Sequence, residues 1–321
     1  IIAYGIKQER ASEFTEIYLT LGYIPAPYTY YKNIFKLEPG HYLIVNSNKV
    51  TKVKYWDIPW VGEREMLINK KRVYEEFEYL LKDSVKLRMR SDVPFGAFLS
   101  GGLDSSSIVS LMSEISNYPV ETFTIGFSEK SFDERDLAKE VAQKFKTNHH
   151  EKLVSHESFD YALNKVLYHY DEPFGDSSAI PTNYVSNYAS ERVKMVLTGD
   201  GGDEVLSGYN SYLGLKIISN YNKLPGIIRK GLPITIKYAS KPLSGKLRYT
   251  LNRIKNVSDT SSLSFNDRMI EKMAWTNKDD IKTLIIDKTS SQISIEEFFS
   301  QFMSHCPFKD DFYKMMYLNL K

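Results

Sequence analysis

Apolar positions keep a helical period near both ends of the chain and alternate with short apolar runs in its middle. Phe14, Ile17, Tyr18 and Leu21 recur at helical spacing, which predicts a short amphipathic helix over 12–21, ended by Pro25 and Pro27. After the Pro39-Gly40 turn, residues 42–45 and 50–56 flank Asn46-Ser47-Asn48-Lys49 and read as a hairpin. A linker follows at about 58–70. Residues 71–87 predict a helix with Val73, Phe77, Leu80 and Leu81 turned inward. From there the chain alternates. Apolar strands are predicted at 93–99, 121–127, 149–154 and 193–197. Between them Ile108, Leu111, Met112 and Ile115, then Leu137, Val141 and Phe145, then Phe159, Leu163, Val166, Leu167 and Tyr170, mark helices. Such alternation predicts an α/β fold with a doubly wound, mostly parallel sheet, whose ligands lie beyond the carboxyl ends of the strands. From about residue 205 strand patterns stop. Helical segments are punctuated by Pro225-Gly226, Pro233 and Pro242, predicting an added helical part that covers the sheet.

Composition narrows the function classes. A chain of 321 residues, 42% hydrophobic and 26% charged, has room for a sizeable core and two domains. Lys plus Arg number 42 against 40 for Asp plus Glu, a net +2, so neither nucleic acid nor an anionic membrane is expected as the main partner. No apolar run reaches membrane-spanning length. Cys306 is the single cysteine, which excludes a disulfide within the chain and fits a reducing, cytoplasmic setting. The start, Ile1-Ile2-Ala3-Tyr4, soon turns charged at Lys7, Glu9 and Arg10; it lacks signal-peptide character and an initiating methionine, as expected of a chain beginning inside a longer protein.

The chemistry concentrates at two strand ends. Leu99-Ser100-Gly101-Gly102-Leu103-Asp104-Ser105-Ser106 joins the strand at 93–99 to a helix. Two glycines allow a tight turn, the helix start offers free N–H groups, and Ser100, Ser105 and Ser106 add hydroxyls; together they suit phosphate oxygens. The loop is not a Walker loop, since it contains no lysine. Asp104 would repel phosphate unless a magnesium ion stood between them. A bare Ser-Gly-Gly is often an ordinary loop; the longer string in this strand–helix context favours the phosphate reading. The second cluster, Thr198-Gly199-Asp200-Gly201-Gly202-Asp203-Glu204, follows the strand at 193–197. Its carboxylates repel one another unless a cation lies among them, although a solvated acidic turn has the same composition.

The first loop resembles the pyrophosphate-binding loop of the ATP pyrophosphatases, of adenine nucleotide alpha hydrolase-like fold. With Arg88-Met89-Arg90-Ser91-Asp92-Val93-Pro94 before it, the acidic loop after it, and Asp171-Glu172-Pro173-Phe174-Gly175-Asp176-Ser177-Ser178-Ala179-Ile180-Pro181 between, the chain resembles the synthetase domain of glutamine-hydrolysing asparagine synthetases. The resemblance implies an enzyme, an ATP-dependent ligase. It would amidate aspartate to asparagine through a β-aspartyl-AMP intermediate, releasing AMP and pyrophosphate, with ammonia drawn from glutamine. It implies ATP contacts along residues Leu99, Ser100, Gly101, Gly102, Leu103, Asp104, Ser105 and Ser106, and at Ile125, Gly126, Thr198 and Gly199; main-chain groups at Leu99, Ile125 and Gly199 would hold the adenosine. Asp104 and Asp203 would hold magnesium. Asp104 and Asp200 are the implied catalytic acids, and Asp200, Glu204 and Tyr209 the implied substrate contacts. Some members carry glutamate at the position of Asp200. Tyr209 suits core packing equally well.

The same resemblance divides the chain into a remnant of a glutaminase domain at 1–57, a linker at 58–70 and a synthetase-type domain at 71–321, α/β to about 204 and helical after. The remnant rests on the run from Tyr18 through Leu37-Glu38-Pro39-Gly40-His41 to Tyr55-Trp56-Asp57. The family's N-terminal cysteine nucleophile is not among these residues. A downstream lysine in a V-D-R-like context and an E-V-R-x-P-F word are also not found, so this segment alone is expected to be inactive. The implied partners are ATP, aspartate, ammonia or glutamine and the protein's own glutaminase domain; a homodimer is among the assemblies allowed. Two other readings stay open: a related carboxylate-adenylating amidotransferase acting on another acid (sugar, peptide or secondary metabolite), and a nucleotide-binding module without catalysis.

Other features favour structural roles. His149-His150-Glu151 lacks a spaced third metal ligand and sits on a predicted strand. Cys306 has His305 beside it but no histidine–acid set. The 23 tyrosines come without a basic stripe that would suit nucleic acid. The basic stretch from Lys237 to Lys255 reads as a solvated face.

Overall fold

The computed structural model describes residues 5, 7, 9–59, 69–129, 133–154, 159–229, 257–285 and 293–321. The linker expected at 58–70 falls mostly, and the basic stretch from Lys237 to Lys255 entirely, outside the described residues. The chain forms two compact units, Pro59–Asp203 and Ile1–Ile58 with Glu204–Lys321.

In the unit Pro59–Asp203, four strands form one parallel sheet. We number strands and helices in chain order. Strand β3 (Phe95–Phe98) pairs in parallel with β4 (Glu121–Phe127) on one side and β6 (Met195–Leu197) on the other; β5 (Asn148–Val154) pairs in parallel with β4. The order is β5-β4-β3-β6, with β5 and β6 at the edges. Helices cover both faces. On one, Ala97, Leu99 and Leu197 pack with Val85 of α2 (Lys70–Arg88), Val109 and Met112 of α3 (Leu103–Ile115), and Ala138 and Ala142 of α4 (Arg135–Phe145). On the other, Phe123, with Phe98 and Val196, packs against Val185 and Ala189 of α6 (Ala179–Ser190), and α5 (Phe159–His169) lies beside α6. Apolar side chains on alternate strand positions therefore meet helices on opposite faces, as in a doubly wound sheet.

Several helix faces differ from the periodicity. In α2, Val73, Phe77 and Leu80 are exposed and Leu81 is half-buried, while Val85 is fully enclosed. Only the last turns of α2 reach the core, so the earlier apolar positions have no described element over them. In α4, Leu137 is exposed, and the small residues Ala138 and Ala142 make the contact. In α5, Phe159, Leu163, Leu167 and Tyr170 are exposed, and Ala162 and Val166 are buried. Small side chains let these helices approach closely, which turns the larger residues outward. The start of α6 has no side-chain cap on its first turn. Ser178 occupies the N-cap without a side-chain bond, and Asp176 Oδ1 accepts from the Ser178 amide at 2.8 Å.

The unit Ile1–Ile58 with Glu204–Lys321 holds a hairpin and helices. Strands β1 (His41–Asn46) and β2 (Lys49–Lys54) pair antiparallel as a separate two-stranded sheet. Helix α1 (Thr15–Leu21) buries Ile17 and Leu21 with Phe14, Ile24 and Ile295. Its partners on the C-terminal side are α9 (Phe265–Met273), α10 (Lys278–Leu284) and α11 (Ile295–Met303). After the short α7 (Gly202–Leu206), a second core joins Tyr212 and Leu215 of α8 (Asn210–Asn222) to Phe265, Met269, Phe299 and Met315 of α12 (Asp311–Leu320). Among the described residues after β6 there is no strand, as the sequence pattern predicts. The packing groups residues 1–58 with the C-terminal helices rather than apart from them.

Candidate active site

The site is built where β3, β4 and β6 end. Leu99 continues β3, and its amide donates to the Phe123 carbonyl at 3.0 Å. Gly101 takes φ +81, the left-handed region that glycine enters freely, and a Cβ there would fall 2.6 Å from Leu137 Cβ and 2.8 Å from the Ala138 amide nitrogen. The loop therefore lies directly on the first turns of α4. Ser100 and Ser105 fix its shape. Their hydroxyl oxygens are 3.0 Å apart, and Ser100 Oγ accepts from the Gly102 amide at 3.2 Å. Gly102 is the N-cap of α3 and supplies no side-chain cap to the amides of the first turn. Asp104 stands in that first turn.

The acidic loop meets this one at contact distance. A Cβ on Gly199 would fall 2.6 Å from the Ser105 amide nitrogen and 2.9 Å from Asp104 Cβ. A Cβ on Gly202 would fall 2.5 Å from Asp104 Cγ and 2.7 Å from its Oδ2. The glycines are thus required by close approach, and the Asp104 carboxyl lies against the backbone immediately before Asp203. Thr198 Oγ1 donates to Asp200 Oδ2 at 2.8 Å, orienting an exposed carboxylate. Ser106 Oγ is buried and has no hydrogen-bond partner. A glycine-lined loop at a helix start, followed by a buried hydroxyl without a partner, suits a phosphate group. The oxygen-only pair Asp104 and Asp203 suits a hard cation shared with phosphate oxygens. Among the described residues no group of three or more His, Cys, Asp or Glu side chains is gathered for a metal.

At the adjacent end of β4, the register with β3 stops at Phe98↔Phe123, so Ile125 and Gly126 extend beyond it. Three features here were not visible in sequence. Thr124, buried, donates its hydroxyl to the Leu99 carbonyl. Asp133 and Arg135 form a bidentate pair, with Nε to Oδ1 at 2.9 Å and Nη2 to Oδ2 at 2.8 Å. That pair lies on Gly126, where a Cβ would fall 2.1 Å from Arg135 Nε. The guanidinium holds the Asp133 carboxyl below the usual range, mainly by hydrogen bonding, and Arg135 is raised in return. The only sequence hint is the Asp133-Glu134-Arg135 run before α4.

Glu204 and Tyr209 belong to the other unit and pair with each other, Tyr209 Oη donating to Glu204 Oε1 at 2.5 Å. Tyr209 is exposed and stacks at 6.4 Å from the buried Tyr212. The paired histidines have structural partners. His149 Nδ1 is 2.9 Å from Thr122 Oγ1 and its Nε2 lies 3.3 Å from Glu151 Oε1; His150 Nε2 is 2.6 Å from Glu121 Oε2 and its ring stacks on Phe123. Burial pushes the His149 pKa down, partly offset by Glu151. No helix among the described residues is long and apolar enough to cross a membrane.

Comparison with known proteins agrees with the region built here. Residues 76–321 match the asparagine synthase family. A putative glutamine-hydrolysing asparagine synthetase of Methanocaldococcus jannaschii is 44% identical over 226 residues, 70% of this chain and 43% of that protein. Asparagine synthetase 1 of Bacillus subtilis is 28% identical over 309 residues, 96% of this chain and 47% of that protein. A putative asparagine synthetase of Mycobacterium bovis is 32% identical over 231 residues, 71% and 35% respectively. The chain thus spans less than half the length of these relatives. With a family match that takes in both loops and the whole parallel sheet, this chain belongs to the asparagine synthase family.

Proposed function

We propose that this chain carries the carboxylate-activating part of an enzyme that makes asparagine from aspartate using ATP. The observation that carries the reading is the interlocking of the two loops, in which Gly199 and Gly202 admit the backbone onto Asp104 and Ser105. A donor-lined loop and an acidic loop then face one space. The phosphates of ATP would lie against the first turn of α3, with the Ser106 hydroxyl donating to one of them. The adenosine would lie past the end of β3, on main-chain groups of Leu99, Ile125 and Gly199; the Leu99 carbonyl keeps a lone pair beyond the one Thr124 uses. Asp104 and Asp203 would hold magnesium, which when bound neutralises phosphate charge and helps pyrophosphate leave.

In this reading a side-chain carboxylate oxygen of aspartate bonds to the α-phosphorus as that phosphorus loses its bond to the bridging oxygen, and pyrophosphate departs. Ammonia then attacks the acyl carbon, the carbon–oxygen bond to AMP breaks, and the nitrogen sheds its extra proton. The start of α3 would meet the negative charge that grows on the departing pyrophosphate. Asp200, whose carboxylate accepts from Thr198, would handle substrate, with Glu204 and Tyr209 as further candidates. Residues 1–57 would be the end of a glutaminase region that supplies ammonia from glutamine, in the cytoplasm.

The test is pyrophosphate release from MgATP and ammonium by the full-length protein containing this sequence, with and without aspartate. We expect release that requires aspartate and falls about a hundredfold or more in Asp104→Asn. Release with a different acid would move the substrate. Retained ATP binding with no release for any acid would defeat the enzymatic reading.

A further inference from the structure

We propose that Arg135, held over Gly126 by Asp133, is the surface on which the base of the bound nucleotide stacks, a specificity-determining contact at the end of β4. This rests on the nucleotide reading above. Arg135 comes from the first turn of α4, the helix whose next residues carry Gly101 of the phosphate loop. One helix start thus spans from the phosphate loop to the end of β4. Gly126 is buried, and the guanidinium occupies the space a side chain there would fill. The Arg135 side chain remains 30% exposed, so part of it is open to a ligand.

The geometry decides what kind of contact Arg135 can make. Nε and Nη2 are both spent on Asp133, and Asp133 Oδ1 also accepts from the Arg135 amide at 3.3 Å. One of the two bidentate edges of the guanidinium, Nε with Nη2, is therefore occupied, and its charge is matched by a carboxylate. With the charge matched, the planar face is the part suited to a neutral aromatic ring, and the tripolyphosphate arm of the test separates this from a phosphate contact through the remaining Nη1 edge. Because every base offers such a face, the contact should favour a nucleotide over a bare polyphosphate more than it separates one purine from another. Asp133 is a positioning residue, since it acts through Arg135.

The test uses the 321-residue chain and calorimetric titration with MgATP and, separately, magnesium tripolyphosphate. Arg135→Ala should weaken ATP about five- to tenfold and leave tripolyphosphate within about twofold. Arg135→Lys should fall between the parent and Arg135→Ala, because an ammonium can sit over a ring but cannot stack on it as a plane. Gly126→Ala, which displaces the guanidinium, should show the same split. Unchanged ATP affinity in Arg135→Ala would overturn the proposal. An equal loss for both ligands would also overturn it, assigning Arg135 to the phosphates or to the fold. If the unaltered chain binds neither ligand, the nucleotide site itself is wrong, a different result from either.

Discussion

At the scale of single residues, two side chains separate function from folding. Ser106 Oγ is buried without a partner, which costs stability in the free protein, roughly 1 kcal/mol. Ser106→Ala should therefore leave the melting temperature unchanged or raise it slightly, while ATP affinity falls about tenfold through the lost bond to a charged phosphate. Differential scanning calorimetry and titration on one sample check both. His149 is the pH-sensitive counterpart. Burial lowers its folded pKa below the ordinary 6.5, so below that value the unfolded chain takes up a proton before the folded chain does. Its contribution is whole above about pH 6.5 and is lost as pH falls through the lower folded value. His149→Asn, which keeps a partner for Thr122, should flatten the fall in urea midpoint between pH 7 and 5.

At the scale of elements, periodicity marks an apolar face but not whether anything covers it. Phe77 and Val85 sit on the same helix, and only Val85 is enclosed. Val85→Ala should cost about 2 kcal/mol in urea unfolding, and Phe77→Ser should stay within about 0.5 kcal/mol. The strand–loop–helix around Gly101 was legible because all its parts are neighbours in sequence. The Thr124 bond to Leu99 and the Asp133–Arg135 pair over Gly126 were not, because each depends on the register of β3 and β4 or on where α4 starts. The capping of α6 shows the same limit: Ser178 holds the cap position, but the carboxylate two residues earlier makes the bond.

At the scale of the whole molecule, the doubly wound sheet could be read from strand–helix alternation, and each strand fell within a few residues of its predicted place. The grouping of residues 1–58 with 204–321 could not. It rests on contacts such as Ile17 and Leu21 with Ile295, or the Ile295 amide donating to Glu16 Oε1 at 3.0 Å, far apart in sequence. Asp57 belongs to the same pattern. Hydrogen bonds from Lys321 and Lys54 hold its carboxyl well below the usual range, so this tie is present at neutral pH and is lost only in strong acid, as Asp57 takes up a proton. Being a partly exposed cluster, it contributes modestly.

The two-stranded hairpin bears on how the chain behaves in concentrated solution. Both of its strands are edges, and Tyr42, Leu43, Ile44, Val45 and Val50 are all exposed. Lysines at 49, 52 and 54 guard β2, whereas β1 between His41 and Asn46 carries no such charge. Among the described residues no further strand pairs with its outer edge, and the neighbouring lysines oppose association. Raising the salt concentration screens their charge. Light scattering at increasing protein concentration should show self-association that strengthens with salt and disappears in Ile44→Lys, so purification of this chain calls for low ionic strength rather than high.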